Sequence, residues 1–206
     1  MFPRSNRRER TPPAGVIALA LVCALMSACA PALNWREVRP PQADGLVGSF
    51  PCKPDSRERR VALPGVERPV TMRLWSCEAD GARWALGFLQ LDDALAVAPA
   101  LRAMAASTRD NLQAAGGQPV QAEDLGAVAV PRMTPQADSR GWRFAGQRPE
   151  GNSEGGDQVP VTVTAWHFSH GLTVFQASVW RTQPPSGAQS AEEAADAFMR
   201  GFHFPR

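Results

Sequence analysis

The chain has 206 residues, with 22 basic and 20 acidic side chains and a formal net charge of +2. Its composition is that of a globular protein, 44% hydrophobic and 20% charged. No P-loop, dinucleotide-binding fingerprint or H-E-x-x-H pattern occurs, so the nucleotide-binding and zinc-protease classes marked by those motifs are excluded.

The first ten residues carry four arginines against one glutamate, and an apolar run from Gly15 to Leu25 follows. The run ends in Leu25-Met26-Ser27-Ala28-Cys29. A basic start, a short apolar core and small residues before a cleavage point make a secretory signal peptide. The apolar stretch is only about 15 residues, against roughly 20 needed to span a bilayer. With a cysteine directly after the small residues, residues 1–29 resemble a bacterial lipoprotein signal. Ser27 and Ala28 fit that pattern, while Met26 stands where leucine is commoner. The resemblance implies cleavage after Ala28, a diacylglycerol thioether on Cys29 and acylation of the new amine. It also implies an envelope location, with the domain facing the periplasm. Ala30 after the cysteine favours the outer membrane over the inner, where aspartate is the retention signal. An uncleaved transmembrane anchor and a cleaved signal with Cys29 as a plain thiol are the alternatives.

Cleavage would remove four arginines and one glutamate. Basic residues then fall from 22 to 18 and acidic ones from 20 to 19, a net charge of −1. No basic excess remains to hold a nucleic acid. Lys53 is the only lysine and tyrosine is absent, a bias that reads as genomic base composition. Residues 1–28 are thus expected as signal peptide, 29–43 as acylated N-terminus and linker, and 44–206 as one domain. The linker, with its prolines and no periodicity, reads as a tether off the membrane, with Trp35 docking on the domain or dipping toward headgroups.

Cys52 and Cys77 remain as a pair 25 positions apart. In an oxidising compartment a disulfide is the simplest reading. Two buried thiols or a redox pair are the other possibilities, although the spacing is nothing like C-x-x-C.

A short strand over 46–50 is stopped by Pro51, and the basic run Arg57-Glu58-Arg59-Arg60 is expected as a solvated loop before a brief strand, Val61–Leu63. Residues 70–77 and 82–89 alternate with period two around Asp80-Gly81, a hairpin signal. Their alternation puts Trp75 opposite Met72 and Leu74, where it could join an exposed aromatic patch. Asp92-Asp93 then suit an N-terminal cap or a turn. A helix follows with Pro99 in its first turn, an apolar stripe of Leu101, Met104, Ala105, Thr108 and Leu112, and a stop at Gly116-Gly117. Residues 127–130 could start a strand that Pro131 halts. Residues 141–146 read as a strand, and 161–168 with 172–180 as a hairpin. Ser190 and Glu193 form a capping box for a last helix with Ala194, Ala195, Phe198, Met199 and Phe202 on its apolar face.

The order strands, helix, strands, helix predicts an α+β fold. It is an antiparallel β-sheet with a central helix and a C-terminal helix packed on it, following the signal peptide and tether. This chain resembles the PsbP-like fold group through Ser49–Pro54, the central helix, the Phe144-Ala145-Gly146 strand, the 172–180 strand and the terminal Ala195–Phe198 helix closing on Phe202-His203-Phe204. That resemblance spans most of residues 45–204 through short apolar motifs. It implies the fold and a habit of acting as a binding or assembly accessory, and it carries over no functional residue.

Chemistry-bearing patterns are sparse. Gly151-Asn152-Ser153-Glu154-Gly155 fits G-x-S-x-G, and Asp196 and His203 follow in hydrolase order. The motif sits in a polar loop before a strand, whereas a nucleophile elbow needs a strand-to-helix turn. His167 and His170 are three apart on a strand, hence on opposite faces and ill placed to share a metal. The expected function is therefore a lipid-anchored envelope protein acting as a non-catalytic binding or assembly accessory, without a cofactor. Its expected partners are the membrane, through the acyl chains, and an envelope protein. A carrier of a hydrophobic small molecule or lipid, and an envelope hydrolase, are the alternatives.

Overall fold

The computed structural model describes residues 33–113, 119–149, 157–182 and 190–206. Cys29, the 151–155 motif with Ser153, and Gly116-Gly117 lie outside the described residues. The strands are β1 (Arg36–Val38), β2 (Gly48–Phe50), β3 (Asp55–Val61), β4 (Val70–Ala79), β5 (Ala82–Gln90), β6 (Gln121–Ala127), β7 (Arg140–Pro149), β8 (Gln158–His170) and β9 (Thr173–Arg181). The helices are α1 (Val97–Asp110) and α2 (Ala191–Arg200). β3 to β9 form an antiparallel sheet in the order β3-β4-β5-β9-β8-β7-β6, and β1 and β2 pair as a separate ribbon. The expected architecture, an antiparallel sheet with two helices on it, is the one observed.

The central strands are apolar on both sides because both sides are covered. On β5, Ala82, Trp84, Leu86 and Phe88 face one core, while Leu89 faces another. The first core holds α2 and the β1–β2 ribbon: Phe50, Phe198 and Phe202 meet Trp84 and Phe168 there. Ring centroids stand 5.2 Å apart for Phe50–Phe198 and 5.4 Å for Trp84–Phe198, both edge-on. The second face carries α1, whose Leu101 and Met104 pack on Leu89 and Val174. The described residues thus form three layers, with the sheet in the middle.

Both hairpin turns follow glycine stereochemistry. Asp80 and Gly81 have φ of +51° and +65°, the double positive φ of a type I′ turn. The β8–β9 turn falls at Gly171-Leu172, with positive φ at Gly171 alone, as in type II′. Ser190 and Glu193 make the reciprocal capping box on α2, and Asp93 accepts from the Leu95 N–H to cap a 3₁₀ turn before α1.

Three local expectations differ from the structure. The basic run at 57–60 is not a loop but the middle of β3, with Arg57 opposite Leu74 and Arg59 opposite Met72. Similarly, 127–130 does not start a strand; the strand is β6, which ends at Ala127. Both β3 and β6 are edges, where charge is tolerated and deters pairing with other chains, so neither shows an apolar pattern. β6 also carries a bulge between Asp124 and Gly126. Finally, part of the stretch read as tether packs on the domain. β1 pairs with β2, Trp35 meets Trp84 edge-on at 5.9 Å, and Ala43 is fully buried.

Cys52 and Cys77 are joined in a disulfide, with Cα atoms 5.9 Å apart. The bond ties the chain leaving β2 to β4, and so links the ribbon to the sheet. Cross-linking a loop of this length stabilises by roughly 3 kcal/mol in the chain-entropy model. The Cys52→Ala/Cys77→Ala double variant should lose about that much in urea unfolding. An unchanged midpoint, with and without reductant, would show that the bridge adds nothing.

Candidate functional site

The residues singled out by motif are scattered. Asp196 is exposed on α2, with Arg200 one turn on at 3.9 Å, and exposed His203 bridges to Val47 through its backbone. His167 and His170 do lie on opposite faces. His170 stacks on Phe204 at 4.0 Å on the α2 side, while the buried His167 reaches Gln176 beneath α1. Among the described residues, no group of three His, Cys, Asp or Glu side chains could hold a metal ion. Trp75 does not join an exposed patch; it packs against the aromatic core, and Leu74, on the opposite face, is the exposed residue of that pair.

What the fold does build is a groove of about 650 Å³ beside α1. α1 lies across β8 and β9 and reaches β5 at Leu89, leaving a groove over the Ala85–Gly87 stretch of β5 and over Met72 and Leu74 of β4. Small residues form the floor: Ala85 and Gly87 on β5 and Ser178 on β9. Gly87 is the deepest economy of side chain. The nearest atoms to a Cβ there would be Met72 Sδ at 3.4 Å, Leu74 Cδ1 at 3.9 Å and a backbone oxygen at 4.0 Å, ordinary contact distances. Val61, Leu63, Met72 and Leu74 make one wall, and Met104 and Ser107 of α1 with Asn111 just past its end the other.

Charge in the groove is one-sided. Arg59, Arg83 and Arg148 line it, and no carboxylate among the described residues does. Glu78 holds Arg83, with bonds of 3.1 Å from Nε and 2.7 Å from Nη2. Within the groove, the Arg148 Nε is buried and has no acceptor among the described residues; the Arg181 Nη2, outside the groove, is in the same position. A buried donor left unsatisfied costs about 1–3 kcal/mol. Arg148 and Trp180 also line an adjoining hollow of about 400 Å³ that runs toward the Asp80-Gly81 turn.

Beneath α1 a polar chain borders the groove. Thr108 Oγ1 donates to the Met104 carbonyl at 3.0 Å. Gln176 Oε1 accepts from His167 Nε2 at 3.3 Å, so the proton sits on Nε2 in this arrangement. Burial pushes the His167 imidazole down to about 4, against the opposing pull of the Arg140 backbone and Gln176.

Sequence patterning named neither Arg148 nor Gly87 as part of a site. A glycine inside a regular strand pattern was the available signal, since it marks a bulge or a place where something approaches the backbone. Arg148 follows a glycine-containing strand segment with nothing to distinguish it.

No protein-family model matches the chain, and comparison with curated proteins and with solved structures finds no match.

The His167 shift has a pH consequence. An unfolded histidine takes up its proton near pH 6.5, whereas the folded one resists until about 4. Stability therefore falls as pH drops across that window, by up to about 3 kcal/mol. Urea midpoints at pH 7 and 4.5 should differ more in the natural chain than in His167→Gln. Equal differences would place the acid sensitivity elsewhere.

Proposed function

We propose that this chain is a lipid-anchored envelope protein, fixed through acylated Cys29 and facing the periplasm, whose domain binds a small ligand without transforming it. The groove beside α1 carries the binding reading. Its volume of about 650 Å³ lies within the range of about 300–1,000 Å³ that takes a drug-sized ligand. Its floor is formed by Ala85 and Gly87, and a Cβ at Gly87 would make no contact closer than 3.4 Å. The carrier reading of the sequence needs a hollow of this kind between helix and sheet, and is favoured here over assembly with a protein partner, which would use a flatter surface. The anchor rests on the Leu25–Cys29 pattern, and the Cys52–Cys77 disulfide suits an oxidising compartment. Among the described residues no helix is long and apolar enough to cross a membrane. The PsbP-like resemblance belongs to the same proposal, supported by the strands, helix, strands, helix order.

Mass spectrometry of protein extracted from membranes tests both parts. Denatured protein should show residues 29–206 plus acyl chains, and Cys29→Ser should remain unacylated; an uncleaved, unmodified mass would remove the anchor. Under native conditions the natural chain should carry a small-molecule adduct that Gly87→Leu loses. Absence of any adduct from both would count against the binding role.

A further inference from the structure

We infer that the groove's occupant is an amphiphilic anion, with its apolar segment over Gly87 and its phosphate- or carboxylate-type head on Arg148. The inference rests on the binding reading and adds the ligand's chemistry.

The first support comes from comparing the arginines of this groove with those of two other hollows. Beside β7, on the other side of α1, a smaller hollow of about 240 Å³ is lined by Arg102, Arg109 and Arg140. Each has a carboxylate: Asp138, Asp110 and Asp124 respectively. By the N-terminus of α2, Arg143 is paired with Glu123 and Glu192, and Arg181 with Asp80, although the Arg181 Nη2 is also buried without an acceptor. The large groove breaks this rule. The Arg148 and Arg59 side chains have no hydrogen-bonding or ionic partner among the described residues, and the described lining of the groove supplies no carboxylate, although Glu78 and Asp80 line the hollow that adjoins it at Arg148. The charge is therefore available to a ligand, and Arg148 has a buried donor awaiting an acceptor. A guanidinium offers a planar fork that matches phosphate and carboxylate oxygens.

The second support is the surface next to that charge. Met72, Leu74 and Met104 flank a floor made flat by Gly87. Methionine side chains adapt to varied apolar shapes. An inorganic anion would leave this surface wet, and a neutral hydrocarbon would leave the Arg148 Nε unsatisfied. A molecule with both parts satisfies both requirements.

The test uses the full acylated chain in nanodiscs, titrated calorimetrically with octyl phosphate, 1-octanol and inorganic phosphate, with empty nanodiscs as the blank. Octyl phosphate should bind at least tenfold more tightly than octanol, and inorganic phosphate should give no binding heat. Arg148→Met should reduce octyl phosphate to the octanol level, and Arg148→Lys should fall between, because it keeps the charge without the fork. Gly87→Leu should abolish binding of both alkyl compounds. Circular dichroism confirms that each variant is folded. Equal binding of octanol and octyl phosphate, indifferent to Arg148→Met, overturns the anionic head and leaves the binding reading intact. Inorganic phosphate binding as tightly as octyl phosphate overturns the amphiphile. Failure of both alkyl compounds to bind, or binding that Gly87→Leu leaves unchanged, overturns the groove as a site and the binding reading with it.

Discussion

One helix cannot cover one face of a seven-stranded sheet. A helix is about 10 Å wide with its side chains, and strands sit about 4.8 Å apart, so α1 shields roughly two strands. Those strands are β8 and β9. The remainder of that face is closed piecemeal: Leu63 and Val66 lean over one end, and Leu112 and Val120 over the other. The groove is the part left unclosed, bounded by the helix edge and by β3 and β4. Its existence is a geometric consequence of the layer count, and its chemistry is set by which residues fill the gap.

The opposite face meets the same constraint differently. There α2 is helped by the β1–β2 ribbon and by the last residues of the chain, and aromatic rings fill the space between them. Phe50, Phe198, Phe202 and Phe204 interlock with Trp84, Phe168 and Phe175, leaving all seven buried. Gly48 is required for this approach, because a Cβ there would come within 2.5 Å of the Phe202 ring. Aromatic pairs of this kind add to the area they bury. One face is therefore a tightly specified core, and the other combines a core with an opening. The polar chain of Thr108, Gln176 and His167 sits at the border between them.

How far the sequence revealed this depends on burial. Elements buried on one or both faces were legible. Period-two alternation marked β4, β5, β8 and β9, the Ser190–Glu193 pair marked α2, and Leu101, Met104, Thr108 and Leu112 marked the inner face around α1. Elements whose side chains face water were not. β3 and β6 are exposed edges, so their charges satisfied no pattern, and Arg57–Arg60 resembled a loop. β1 is three residues long and owes its place to the ribbon partner and to Trp84. The cysteine pair was legible because the lipoprotein reading sets Cys23 and Cys29 aside and so points to Cys52 with Cys77. The groove was not, since it depends on residues from β3, β4, β5, α1, β7 and β9 that meet only after folding, and on small side chains whose role is to be absent.

The docking of Trp35 and β1 sets a leash. Leu33 already packs against the aromatic core, and the Asn34 N–H donates to the Pro51 carbonyl. Only four residue steps separate Cys29 from Leu33, a span of at most about 14 Å when fully extended. A domain acylated at Cys29 would therefore hug its bilayer rather than reach across the periplasm. Leu33 packs on the α2 face and the groove lies on the α1 face, so that leash would be fixed to the side of the sheet opposite the groove.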